Sequence, residues 1–406
     1  MSGKWPGGFI TKNAPEVVGP VGGEGGSAPG IWTLDQVADY EKQGLWPKPI
    51  LDKELWTWGY NGFGQLGDGT TTQRSSPVQV GALVNWSNAI AAGESYTLAV
   101  KQDGTLWAWG RNQDGQLGTS NTTYRSSPVQ VGALTTWAEV VAGNYASGGI
   151  RTDGTLWGWG NGDNGNLGLG NTFYYNSPRQ VGSLTDWSKL AKARMSTFSI
   201  KTDGTLWAWG LNSLGVLGLG NTTNYSSPVQ VGSDTDWYEI RVGQLHSLSI
   251  KTDGTLWSWG YGANGRTGQN NTTDYSSPVQ VGALTTWLQV TAGYQHSLAI
   301  KTDGTLWSWG YNNYGQLGLG DTVDRSSPVQ VGALTNWARV EGGNSFTLAV
   351  TTDGKLYAWG FDGNGRLGNS TVNNNKSSPV QIGSLTTWLG IARMPSAVFG
   401  ASTQQP

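Results

Sequence analysis

The sequence predicts an all-β fold in which seven sheets stack into a closed ring behind an extended N-terminal arm. Three observations carry that prediction. Markers recur at intervals of about fifty residues, each unit holds two β-rich runs around an Asp-Gly turn signal, and the first and last units are complementary fragments.

The second tryptophan of a Trp-x-Trp-Gly motif, or its equivalent, stands at Trp58, Trp109, Trp159, Trp209, Trp259, Trp309 and Trp359. The proline of Ser-Pro recurs at Pro77, Pro128, Pro178, Pro228, Pro278, Pro328 and Pro379, and a lone tryptophan at Trp86, Trp137, Trp187, Trp237, Trp287, Trp337 and Trp388. All three markers count seven units, and they absorb most of the 23 tryptophans. Tryptophan is therefore architecture. The 63 Gly and 15 Pro among 406 residues demand many tight turns yet stay below the roughly 25–30% that marks disorder.

Within one unit, runs from His246 to Thr252 and from Thr255 to Gly260 flank Asp253-Gly254, a two-residue hairpin signal. Such a turn pairs Thr252 with Thr255, and so Ile250 with Trp257, Ser249 with Ser258 and Leu248 with Trp259. That register gathers small pairs such as Ala99/Ala108 and Ala349/Ala358 on one face and bulky pairs on the other. The bulky face of one sheet would then fill the shallow face of the next.

The first unit, from Asp52, lacks the strand that should precede Trp56. The tail running through Phe399 resembles residues 190–198 of an internal unit. It is expected to pair beside Trp56 and Trp58, closing the ring and removing its exposed edges.

Composition excludes several classes. Only 13% of residues are charged and the net charge is −2, so no positive field exists for a phosphate backbone or an anionic membrane surface. The absence of cysteine removes disulfides, thiolate nucleophiles and zinc ribbons. No apolar run reaches the roughly 18 residues of a membrane helix, and the first residues lack the apolar core of an export signal. No nucleic-acid partner, membrane insertion or cofactor is expected.

The segment Gly293 to Gly332, with its Gly-x-x-His-Ser-Leu-Ala-Ile strand, Lys-Thr-Asp-Gly-Thr-Leu-Trp-Ser-Trp-Gly hairpin and Ser-Ser-Pro-Val-Gln-Val-Gly ending, resembles repeats of the regulator of chromosome condensation family. The resemblance covers residues 51–402. It implies a seven-bladed β-propeller closed by a C-terminal strand. The kelch unit, of similar length, fits less well because its paired glycines are missing. Members of the resembled family act as guanine-nucleotide exchange factors or as protein inhibitors of β-lactamases. The projecting wedge and basic tail associated with exchange and chromatin binding are not visible here.

Residues 1–50 read as an extended anchoring arm rich in Gly and Pro, with one short helix near 34–43 capped by Thr33 and Gln36. Its anchor residues would be Trp5, Trp32, Leu34, Val37 and Trp46. The stretch Ala28 to Pro47 resembles a segment of virion and tail-associated proteins in tailed phages of marine bacteria. That likeness implies a virion protein, made in a host cytoplasm, whose arm docks on other virion subunits. The alternative is a stand-alone cytoplasmic interaction propeller, inhibitor-like or exchange-factor-like.

In a hairpin, the start of the first strand and the end of the second share one rim, opposite the Asp-Gly turns. Otherwise near-identical units diverge there. The variable loops supply Tyr60, Phe63, Tyr96, Arg111, Tyr145, Tyr261, Tyr294, Tyr311, Tyr314, Phe346 and Phe361, an aromatic set suited to recognising a protein or a host-surface glycan. His246 and His296 share a repeat position that other units fill with Tyr96, Ala146, Ser196 and Phe346, so they read as structural groups. The leftover carboxylates Glu94, Asp114, Asp163 and Asp362 show no pairing for acid–base chemistry. No catalytic or metal-binding residue is expected, and the reading is non-enzymatic.

Overall fold

The computed structural model describes residues 54–81, 85–393 and 397–402. The arm lies outside them, and with it the expected helix and Trp5, Trp32, Leu34, Val37 and Trp46. The described residues form a β-propeller of four-stranded antiparallel sheets, seven in all, joined by turns and, before the outermost strand of each sheet, by a longer loop such as residues 111–124. Six sheets are built from consecutive strands and span residues 86–130, 137–180, 187–230, 237–280, 287–330 and 337–381, here the first to sixth blades. The seventh blade is composite. It combines Glu54–Gly59 and Arg74–Gln79 with Trp388–Arg393 and Ala397–Ser402. Trp56 stands opposite Gly400, Thr57 opposite Phe399 and Trp58 opposite Val398.

The hairpins differ from their expected register by one residue. Gly254 N donates to Lys251 O at 2.9 Å, Lys251 N donates to Thr255 O at 3.0 Å, and Gly254 has φ +79°. This is a three-residue loop, a type I turn closed by a left-handed glycine, where a two-residue turn was expected. Leu248 therefore faces Ser258, Ser249 faces Trp257 and Ser247 faces Trp259. A one-residue slip re-sorts both faces. One carries the tryptophans with Ser or Ala between them; the other carries Leu and Ile.

Packing follows the corrected faces. Leu248, Ile250, Leu256 and Val281 of the fourth blade pack against Trp287, Trp309 and Ala299 of the fifth. Lone and motif tryptophans meet edge to face, as Trp287 and Trp307 do at 6.1 Å between ring centroids. The turn aspartate organises the hairpin beneath them. Asp253 Oδ1 accepts from Thr255 N and Oγ1 at 2.9 and 2.7 Å, and Thr255 Oγ1 in turn accepts from Trp257 Nε1 at 2.9 Å. The Thr255 hydroxyl and amide hold this carboxyl below the usual carboxylate range.

One hydrogen-bond pattern crosses almost every joint. Trp259 Nε1 and Ser247 Oγ both donate to Val216 O of the preceding blade, at 2.8 and 2.9 Å. Trp309 and Ser297 do the same to Arg266 O, and Trp359 and Thr347 to Gln316 O. Trp109 and Thr97 share Gln65 O, while Trp159 and Ser147 share Gln116 O. Trp58 Nε1 reaches Arg366 O at 3.1 Å, bridging the sixth blade to the composite seventh.

The accepting carbonyl sits two residues before a glycine, and that glycine must be small. A Cβ on Gly218 would lie 2.8 Å from Trp259 Nε1, at φ +76°. Gly232, at φ +63°, has nothing within 4 Å of its Cβ position. Gly232→Ala should therefore cost only backbone strain, about 1 kcal/mol, whereas Gly218→Ala should cost about 3 kcal/mol by adding a clash at the joint. Denaturation midpoints of the two variants check this; equal losses would remove the joint from the account.

Candidate functional site

The rim is assembled by ties between its two loop sets. Arg111 N donates to Ser95 O at 2.9 Å, Tyr261 N to Leu245 O at 2.8 Å and Tyr311 N to Gln295 O at 3.1 Å. The loop that opens one strand is thus fixed to the loop that follows its partner. Buried Asn61, Asn112 and Asn312 organise the second set from inside; Asn312 Oδ1 accepts from Leu317 N at 2.9 Å while Nδ2 donates to Asp321 O and Val323 O.

Two aromatic runs lie on this frame. Tyr60 meets Phe63 at 6.3 Å, and Phe63 meets Tyr124 of the next blade at 5.8 Å. The Arg111 guanidinium stands 5.7 Å from the Phe63 ring and 5.0 Å from that of Tyr145, so this run crosses three blades. The second run joins Tyr311 to Tyr314 at 6.4 Å and Tyr314 to Phe361 at 4.8 Å, with Arg366 at 4.7 Å from the Phe361 ring. Burial pushes the Arg366 guanidinium down to about 10. Tyr261 is covered similarly by Arg266 at 4.7 Å.

Two of the expected rim residues are core. Tyr96 and Phe346 are fully buried. They occupy the repeat position of His246 and His296, whose rings reach the next blade: His246 Nε2 bonds Ser297 Oγ at 2.9 Å, His296 Nε2 bonds Thr347 Oγ1 at 3.1 Å, and Tyr96 OH donates to Ala146 O at 2.8 Å. Variation there reflects interchangeable packing rings. Tyr60, Phe63, Arg111, Tyr145, Tyr261, Tyr294, Tyr311 and Phe361 are half-buried, and Tyr314 is exposed at 37%. The structure adds exposed Tyr124 and Tyr174, signalled in sequence only by their place before the Ser-Pro strand.

At the centre, a small cavity is lined by Asn144, Lys192, Arg194, Gln244, Tyr294 and Asn344, with glycine backbone between them. Gln244 Nε2 donates to Tyr294 OH. Tyr145 is pushed up by burial and by Glu94 beside it, with Arg111 and Arg194 opposing. Among the carboxylates the sequence left unpaired, Asp114 is raised by burial, opposed by Arg111 and helped by nearby Asp163, whose Oδ2 accepts from Tyr174 OH at 2.8 Å. Among the described residues, no three of His, Cys, Asp or Glu are grouped to hold a metal ion.

Deeper lies a feature the sequence reading missed. A channel cavity of about 290 Å³ is lined by Glu139, Arg241, Arg339 and Glu341, with Ala91, Ile391 and Ala392 among its apolar lining. Arg241 Nη2 lies 3.0 Å from Glu239 Oε1, whose other oxygen accepts from Val290 N at 3.2 Å, and Thr291 Oγ1 donates to Glu341 Oε2 at 2.9 Å. Glu139 Oε1 accepts from Leu190 N at 3.1 Å. Burial pushes the Glu139 carboxyl up to about 7, against the pull of the Leu190 amide, Arg241 and Lys189. The available signal was charge at the second and fourth positions after the lone tryptophan, where a strand interior would otherwise be apolar.

The RCC1-like domain family matches residues 185–393, about half of the chain. The chain belongs to the RCC1-like family. Regulator of chromosome condensation (RCC1) repeats further match residues 52–100, 103–150 and 153–199. The ultraviolet-B receptor UVR8 of Arabidopsis thaliana is 34% identical over 101 residues, 25% of this chain and 21% of that protein. Protein RCC2 of Mus musculus is 41% identical over 80 residues, covering 19% of this chain and 15% of RCC2. The match thus spans about a fifth or less of these curated relatives. Among solved structures, human WBSCR16 superposes with TM-score 0.78 at 20% identity, over 87% of this chain and 100% of that one. Prp20p of Saccharomyces cerevisiae, described by its binding to Gsp1p and histones, gives TM-score 0.78 at 19% identity over 88% and 93%. Such identity shows the RCC1-like fold alone.

The channel carboxyl makes a testable statement. A folded-state value near 7, above the ordinary 4.5, means that stability from Glu139 is full below about pH 4.5 and is lost as pH rises through 7. Glu139→Gln should match the unmodified protein near pH 4 and exceed it by up to about 3 kcal/mol at pH 8. Denaturant titrations at pH 4, 6 and 8 measure the divergence; parallel curves would contradict it.

Proposed function

We propose that this RCC1-like propeller is a protein-recognition module that binds a protein partner over the rim around its channel mouth. The carrying observation is the run Tyr60, Phe63, Tyr124, Arg111 and Tyr145, where stacked rings and a guanidinium are held in place across three blades before any partner arrives. Aromatic and arginine side chains dominate the energetics of protein interfaces, and ordering them beforehand lowers the entropy lost on docking. The second run, Tyr311 to Phe361, extends the same surface chemistry to the fifth and sixth blades.

The relatives named above support the stand-alone interaction reading. Prp20p is described by the proteins it binds. The virion setting rested on the arm, and no relative named above is described as a virion protein.

Photo-crosslinking from benzoylphenylalanine placed at Tyr145 or Tyr314, in cells that make the protein, tests the proposal. Leu284 and Leu334, exposed in the connections that pack against the Asp-Gly turns, serve as controls. Discrete protein adducts should form from the rim positions, and Arg111→Ala should reduce those from Tyr145 at least tenfold. Adducts confined to Leu284 and Leu334, or no protein adduct from the rim, would overturn the reading. Rim adducts made solely with capsid or tail proteins would restore the virion alternative.

A further inference from the structure

The joint between the second and third blades departs from the others in several ways at once. Trp209 Nε1 is buried without a hydrogen-bond partner, although its counterparts at the other six joints donate to the preceding blade's carbonyl. The carbonyl it would use, Asn166 O, instead accepts from Lys192 Nζ at 2.8 Å and from Thr197 Oγ1 at 2.8 Å. Lys192 Nζ also bonds Asn166 Oδ1 at 2.9 Å and Thr197 Oγ1 at 2.6 Å. The equivalent positions in four other blades hold Ala92, Ala142, Val242 and Ala292, none able to donate from a side chain.

Packing is thinned at the same place. Gly148 and Gly158 stand where the fourth blade has Leu248 and Ser258, so the aliphatic face that meets Trp209 has lost its central side chains. A cavity of about 10 Å³ remains, bounded by Gly148, Gly158, Lys192 and Trp209. The ring that Tyr96, His246, His296 and Phe346 place at this repeat position is missing too, because Ala146 stands there; the next joint, with Ser196, lacks the ring but keeps its indole bond from Trp259.

We infer that this joint is the propeller's built-in opening point, held by the Lys192 amine in place of the indole bond used elsewhere and by thinner aliphatic packing. Local opening follows the weakest set of buried contacts; here Ile150, Leu156 and Val181 still pack against Trp187, Leu190 and Trp209, but the central aliphatic side chain, the ring bridge and the indole hydrogen bond are all absent and one lysine is bonded in their place. Such an opening has a defined readout at the rim. Tyr145 belongs to the second blade and Arg194 to the third, so parting of the joint changes their separation while leaving each blade intact. The inference concerns the ring itself and stands whether or not the rim binds a protein.

Hydrogen–deuterium exchange on the full chain, resolved by mass spectrometry, tests it. Amides in Ser147–Ile150 and Thr197–Ile200 should exchange at least tenfold faster than the matching Ser247–Ile250 and Ser297–Ile300. The Trp209 indole N–H, followed by NMR, should exchange at least tenfold faster than those of Trp259 and Trp309. Lys192→Ala should accelerate exchange at this joint by a further tenfold with the other joints unchanged; Thr197→Val, a milder change, should do so more weakly. Uniform protection around the ring, or acceleration by Lys192→Ala at every joint equally, would overturn the inference, and the unmodified protein's exchange pattern decides it even if Lys192→Ala fails to fold.

Discussion

The fold depends on a shared acceptor: a loop carbonyl of one blade that receives both an indole N–H and a hydroxyl from the next. A buried indole left unpaired costs about 1–3 kcal/mol, so this bond constrains where each blade can sit. It also explains the glycine two residues on, since Gly218 must let the Trp259 ring approach its backbone. The same contact recurs from Trp58 to Arg366, across 308 residues of chain. Closure adds to that joint the pairing of Glu54–Gly59 with Ala397–Ser402 inside the composite blade.

Much of this frame was legible because repetition turns a weak local signal into a strong one. Three markers at fixed spacing defined the units, and the tail's likeness to residues 190–198 pointed to the strand that now faces Trp56. The register was not legible. Asp-Gly marks both two-residue and three-residue hairpin loops, and the choice is made by whether Gly254 N finds Lys251 O, a backbone contact no residue identity specifies. The consequence was large, since that single residue decides which side chains share a face with tryptophan.

Site reading failed where variability was equated with exposure. Tyr96, Phe346, His246 and His296 vary because each ring spans the same gap by different chemistry, apolar contact in one case and a hydroxyl or imidazole bond in others. The channel charges were hidden for another reason. Glu139, Arg241 and Glu341 lie about one or two hundred residues apart, and only ring closure brings them to the lining of one cavity. Sequence spacing says nothing of neighbours across a channel.

The contrast between frame and rim bears on what the molecule can recognise. In the frame, the second tryptophan of every motif but Trp209 is fixed by a hydrogen bond to the preceding blade, a neighbouring tryptophan ring and a facing aliphatic sheet, so substitution there is costly and the units stay alike. At the rim, the side chains rest on that frame without being required by it, which leaves them free to differ from blade to blade. Arg111 illustrates the result. Its guanidinium already lies against Phe63 and Tyr145, partly withdrawn from water, so a partner that covers it removes little further hydration and meets a group whose direction is set. A surface of such residues gains selectivity from position more than from flexibility, because the spacing between runs is fixed by the blades that carry them. By the inference drawn above, that spacing changes without unfolding a blade at the joint in which Lys192 replaces the indole bond.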